Sequence, residues 1–343
     1  MQSIKKNIIN SLILSISVIV IIFLISIIKK GSSVIEINFN FYYILLVILI
    51  VFSLWLIESI RYKILLKKFN YNFSILNLIY INLVSLFFAT ITPFGFGGFA
   101  MKVYMISKKK NFDIGQVSAI ITIIYILNML FVLFFSFISI FLLKNFEIKQ
   151  DIIKKIINSV IIFIILLSVM IFIIILKPEV FRKISLSILN LFKKISSEKK
   201  EKITQTIIRS YDRYREGLLA MKKLGITILW ISIFTVIYYF VLLSITPLLI
   251  YSLNINVSYF TSSIMQFIYH FFVGWAVTPG GSGISEALYS SLFSSIVDIS
   301  KLATLTFLFK FFTYYIYIIL GGILSIKEIK EFGDLRNIYE YNS

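Results

Sequence analysis

LFFATITPFGFGGFAMK, from Leu86 to Lys102, decides how this chain is read. It opens as the end of an apolar helix and breaks at Pro93. It then bends through Gly95, Gly97 and Gly98 before an apolar pattern resumes. A second break repeats it. Phe271 and Phe272 precede Thr278-Pro279 as Phe87 and Phe88 precede Thr92-Pro93. Glycine stands two and four residues past each proline, at Gly95 and Gly97 and again at Gly281 and Gly283. Two unrelated helix breaks are the simpler alternative. A duplicated unit fits transporter folds that carry an interrupted helix in each half.

The sequence around these breaks is that of a membrane protein. Of 343 residues, 59% are hydrophobic and 15% charged, against about 45–50% and roughly 25% in soluble domains. Apolar segments cover 7–28, 41–60, 76–94, 117–143, 156–176, 224–251, 259–278 and 302–325, with a weaker one at 284–297. Most reach the roughly 18 residues that suggest a crossing helix. A soluble enzyme, a disordered tail and a disulfide scaffold are excluded. So is a transmembrane barrel, whose strands would alternate rather than run continuously apolar. Lys5 and Lys6 precede the first segment as in a signal peptide. The run is long for one, however, and Lys29 and Lys30 follow it instead of a small-residue cleavage site, so a retained first span is expected.

Charge sets the expected topology. The net charge of +18 sits in short loops between apolar segments, the pattern of cytoplasmic loops rather than of nucleic-acid binding. If all eight long segments cross, the best arrangement leaves 20 Lys and Arg inside and 13 outside. If segments 76–94 and 259–278 instead turn back within the membrane, the division becomes 26 inside and 7 outside. The expected fold is therefore an all-α polytopic membrane protein, a single transmembrane domain over 1–343. It has about six full spans and two re-entrant hairpins in an inverted repeat, with halves at 1–143 and 156–325. Both termini would be cytoplasmic and the location the inner membrane. The stretch 177–223 is basic and amphipathic. It reads as surface helices drawn to anionic lipid, or as a docking segment.

In this arrangement the two glycine-rich tips meet near the bilayer centre, where irregular backbone is tolerated only inside protein or against a cavity. The helical stretches after the tips would aim their N-termini there, a setting suited to phosphate. The alternative is that the glycines only allow close packing. Lys310 lies near mid-span and could hold a phosphate or pair with Glu286. Lys102 follows the first tip and could face the same cavity, or lie at the interface. Glu286 could cap Gly283, pair with a cation or carry a proton. Glu58 and Arg61 read as an interfacial pair, His270 as a packed neutral histidine, and Asn82, Asn128 and Gln266 as cross-helix hydrogen-bonding groups. The chain has no cysteine and one histidine, so thiolate and multi-histidine metal sites are excluded. No cofactor and no catalytic residue is expected, because no hydrolase elbow, zinc motif or P-loop occurs.

TPFGFGGFAMKVYMISKKKNF, beginning at Thr92, and MQFIYHFFVGWAVTPGGSGISEALYSSLF, beginning at Met265, resemble the signatures of the lysylphosphatidylglycerol synthase transmembrane-region family, also called flippase-like domain proteins. WLIESIRYKILLKK, beginning at Trp55, is similar to that family's basic segment after the second span. Pro93, Gly97, Gly98, Lys102, Pro279, Gly280, Gly281, Gly283 and Glu286 occupy its motif positions; Phe99 stands where it usually has a polar residue. The resemblance implies a lipid-handling protein related to the membrane half of phosphatidylglycerol lysyltransferases, which flips aminoacylated phosphatidylglycerol outward. The soluble aminoacyl-transfer domain is expected to be absent, so the chain is expected not to be an enzyme alone. The implied site for an anionic or aminoacylated phospholipid comprises Thr92, Pro93, Gly95, Gly97, Gly98, Lys102, Thr278, Pro279, Gly280, Gly281, Gly283, Glu286 and Lys310. Two readings follow: a lipid flippase, or the membrane subunit of a lipid- or glycolipid-modifying system with a soluble enzyme as partner.

Overall fold

A computed structural model describes residues 15–24, 38–109, 113–143, 224–274 and 276–326, with isolated positions elsewhere. The segment 156–176 and most of 177–223 lie outside the described residues. The described residues are helical, with no strand among them. The elements are α1 (Ser15–Leu24), α2 (Phe41–Lys68), α3 (Ile75–Thr90), α4 (Phe96–Lys108), α5 (Ile114–Leu143), α6 (Ile226–Leu243), α7 (Ile245–Ser252), α8 (Tyr259–Val273), α9 (Ile284–Phe293) and α10 (Ile299–Lys310). Beyond Lys310, α10 continues to Ile326 through two π-helical stretches, Phe311–Tyr315 and Tyr317–Gly321.

Among the described residues, four helices are long and apolar enough to cross a membrane: Phe41–Lys68, Ile114–Ser136, Ile226–Ser252 and Ile299–Ile326. All four were expected to be full spans. The two segments carrying the breaks are different. α3 has 16 residues and α8 has 15, so each rises only about 22–24 Å, short of the roughly 30 Å of bilayer hydrocarbon. Each then passes through one 3₁₀ turn, Pro93–Gly95 or Pro279–Gly281, into a shorter helix. α2 extends past its expected end at residue 60 to Lys68.

The chain packs as two units. One holds residues 1–105 with 233–343, and the other residues 106–232. The first thus draws on both sequence halves. Its core joins Val47, Leu54 and Trp55 of α2, Leu249 of α7, Met265 of α8, Phe293 of α9 and Phe309 of α10. Tyr289 stacks on Phe309 at 4.2 Å, and Tyr269 meets both rings edge-on. The opposite faces of α2 and α6 expose Leu45, Leu49, Phe52, Leu229, Trp230 and Phe240. Helices apolar on every side suit a lipid environment. In the second unit, α5 buries Val117, Ile120, Ile121 and Ile124 and stacks Phe131 on Phe135 at 4.2 Å.

Polar side chains repair the backbone where these helices break. Pro247 has no N–H, and its ring crowds the carbonyl four residues back, which separates α6 from α7. Gln266 of α8 fills the gap: its amide nitrogen donates to the Leu242 carbonyl at 2.8 Å, and its oxygen accepts from the Thr246 N–H at 3.0 Å. The amide is thus inserted between the two partners of an interrupted helical bond. Ser263 donates to the Leu243 carbonyl at 3.3 Å. Between α3 and α2, by contrast, the bond is side chain to side chain, Asn82 donating to Ser59 Oγ at 3.0 Å.

Candidate functional site

The two turns share one backbone conformation. Each has proline first, then a left-handed residue (Phe94, φ 53; Gly280, φ 59), then a left-handed glycine (Gly95, φ 69; Gly281, φ 67). This agreement supports a repeated unit more strongly than composition does. It also separates the two glycines of each motif. Gly95 and Gly281 correspond, whereas Gly97 lies inside α4 and Gly283 caps α9 at φ 81.

In the first turn, the Thr92 hydroxyl accepts from the Gly97 N–H at 2.9 Å and donates to the Phe88 carbonyl at 2.8 Å. A Cβ on Gly97 would come within 2.8 Å of that carbonyl, and one on Gly98 within 2.8 Å of the Ser85 carbonyl. These two glycines let the start of α4 close on the end of α3. In the second turn, the equivalent N–H, that of Gly283, donates instead to Glu286 Oε2 at 2.7 Å. Glu286 therefore does at the second tip what Thr92 does at the first. The Thr278 hydroxyl oxygen is left buried with no hydrogen-bond partner among the described residues.

The turns pack against each other. A Cβ on Gly280 would lie 2.7 Å from the Thr90 carbonyl and 2.4 Å from the Tyr314 ring, so glycine is required there by space as well as by φ. Close packing thus accounts for Gly97, Gly98 and Gly280. Gly321 permits the same kind of approach: its Cβ would lie 2.5 Å from the Leu83 carbonyl.

Beside the second tip is a buried ion pair. Lys310 Nζ lies 3.2 Å from Glu286 Oε1 and donates to Ser285 Oγ at 2.8 Å. It also sits 4.0 Å from the centre of the Tyr314 ring. The lysine is 2% exposed and the glutamate 0%. Oε1 of Glu286 also accepts from Ser15 of α1, and Oε2 from Ser285 at 2.9 Å. Four donors fill the carboxylate's acceptor sites. Tyr314 joins tip and pair, because its hydroxyl meets Ser282 Oγ at 2.9 Å. Tyr315 meets Ser15 Oγ at 2.6 Å.

Lys102 lies elsewhere. It faces α2, 3.8 Å from Glu58 Oε1 and 4.0 Å from the centre of the Tyr62 ring. Glu58 Oε2 accepts from Arg61 at 2.6 Å; the Arg61 side chain is wholly buried and that of Glu58 partly exposed. His270 stands among Tyr269, Phe309 and Gln266. Of the expected site, the structure brings together the second tip, Glu286 and Lys310, and lays the first tip against the second. Ser15, Tyr62, Ser285, Tyr314 and Gly321 were not singled out in the sequence. Only Tyr314 had a local signal there, an aromatic residue four positions after a buried lysine.

The chain belongs to the lysylphosphatidylglycerol synthase transmembrane-region family. The family profile, described as the lysylphosphatidylglycerol synthase TM region, matches residues 8–321. It is similar to a UPF0104 membrane protein of Archaeoglobus fulgidus, 27% identical over 292 residues, covering 83% of this chain and 86% of the relative. A second UPF0104 membrane protein, from Pyrococcus horikoshii, is 24% identical over 295 residues, covering 84% and 88%. No solved structure matches the chain. Membership and apolar helices together make it a multi-pass membrane protein.

Proposed function

We propose that this member of the lysylphosphatidylglycerol synthase transmembrane-region family moves an anionic or aminoacylated phospholipid, of the phosphatidylglycerol type, between membrane leaflets. The head group passes where two re-entrant tips meet. The observation that carries this reading is the packing against each other of two turns that share the same succession of proline and two left-handed residues, beside a buried Lys310–Glu286 pair. A phosphate cannot cross hydrocarbon unaided. Charges and irregular backbone buried in a membrane protein are expensive and mark such pathways. Lys310 offers the phosphate a cation if Glu286 is released, and the surrounding hydroxyls of Ser15, Ser282 and Ser285 offer further donors.

The test is a leaflet-exchange assay in proteoliposomes containing fluorescent phosphatidylglycerol. A membrane-impermeant reductant bleaches the outer leaflet alone when lipid does not exchange. Wild-type protein should bring bleaching to near completion, and Gly280→Val should return it to the protein-free level. Wild-type bleaching equal to that of empty vesicles would sink the reading.

A further inference from the structure

Among the described residues two lysines are buried, Lys102 and Lys310, and they differ in one respect. Lys310 has its donors placed, on Ser285 at 2.8 Å and Glu286 at 3.2 Å. The Lys102 side chain is only 8% exposed, yet its ammonium makes no hydrogen bond among the described residues. Its nearest acid, Glu58, stands at 3.8 Å, beyond hydrogen-bond range, and is committed through its other oxygen to Arg61 at 2.6 Å. Below Lys102 is the face of Tyr62, 4.0 Å from Nζ, which attracts the charge but accepts no strong bond. An ammonium has three donors, and leaving them unmet out of water is costly. Apart from the Glu58 ion pair at 3.8 Å, no acceptor among the described residues stands within hydrogen-bond distance of the ammonium.

We propose that Lys102, held over Tyr62 beside the Arg61–Glu58 pair, binds the monoanion of a phosphodiester at a subsite separate from the tip pair. Lys102 lies seven residues past Gly95 on the outgoing helix, about two turns from the first tip. One negative charge balances its ammonium, since Glu58 already serves Arg61. The Glu58 carboxylate, close by, disfavours a dianion. A lysine acts as a point charge toward phosphate. The subsite deepens the lipid reading and rests on it only for the source of the anion: a lipid head group or soluble phosphate would present the same chemistry.

The experiment measures thermal stabilisation of purified protein in an uncharged detergent, titrated separately with dioleoyl-phosphatidylglycerol, dioleoylglycerol and inorganic phosphate. Lys102→Met should weaken the apparent affinity for phosphatidylglycerol by about tenfold or more, the value of a charged hydrogen bond. Lys102→Arg should retain it, and the response to dioleoylglycerol should not change. Without ligand, Lys102→Met should melt no lower than wild type, because an unmet buried charge is gone. A Lys102-dependent shift with inorganic phosphate alone keeps the subsite but removes lipid as its source; the transport reading, carried by the turns and the Lys310–Glu286 pair, is tested separately by leaflet exchange. Unchanged phosphatidylglycerol affinity in Lys102→Met overturns the subsite. So does a fall in ligand-free melting temperature in both Lys102→Met and Lys102→Gln, which would make the lysine a structural partner of Glu58.

Discussion

Glu286 receives four donors from three parts of the chain: the Gly283 N–H, Ser285, Ser15 and Lys310. Removing the cation alone leaves a carboxylate buried without a counter-ion. Lys310→Met should therefore destabilise the protein by about 3–5 kcal/mol. Adding Glu286→Gln should recover most of the loss, as read by melting temperature in detergent. If Lys310→Met is neutral, the pair does not hold the tip. The turn residues make a second prediction. Phe94 holds φ 53 where its counterpart is Gly280, a conformation that costs a side chain about 1–2 kcal/mol. Phe94→Gly should leave the melting temperature unchanged or raise it, whereas Gly280→Ala, which drives a Cβ into the Thr90 carbonyl and Tyr314, should lower it clearly. The candidate pairing of Lys310 with Glu286 was legible in the sequence because buried charges are few. Ser15 was not, since serines are common in this chain and this one reaches Glu286 from 271 residues away.

Among elements, the breaks after α3 and α8 were legible because proline and clustered glycine stop a helix by local chemistry alone. The break between α6 and α7 was not. Pro247 lies inside an apolar run, and a membrane helix tolerates proline where neighbours re-satisfy the freed groups. The neighbour here is Gln266, whose role depends on the α8 packing that brings it to Leu242 and Thr246. Gln266→Leu should leave a buried carbonyl and a buried N–H unmet and cost about 2 kcal/mol or more. Pro247→Ala in that background should return part of the loss, because a regular helix can then close its own bond. Melting temperatures of the single and double variants check this. Equal losses in both would mean that Gln266 acts through packing alone. The π-helical stretches after Lys310 had no sequence signal, because a widened turn is a response to packing rather than to composition.

For the whole molecule, the question is which side of the membrane each end of a hairpin reaches. The charge division of 26 to 7 favours hairpins that return to the face they enter from. The short rise of α3 and α8 fits the same arrangement. The charge division counts 156–176 as a crossing segment, which inverts the second half relative to the first; the short rise of α3 and α8 is independent of it. The chain has no cysteine, so single cysteines can be read without background. Lys68 precedes the first hairpin, Lys109 follows it, and both are exposed; Ser107 is buried and would label poorly. Lys68→Cys and Lys109→Cys should both resist an impermeant maleimide applied to intact cells and react after permeabilisation. Asn256→Cys, exposed just before α8, should react without permeabilisation. Opposite behaviour at 68 and 109 would mean that α3 and its turn cross the bilayer after all. The two tips could then no longer be the ends of opposed hairpins, and a lipid path between them would lose its geometric basis even if the Lys310–Glu286 pair proved essential for folding.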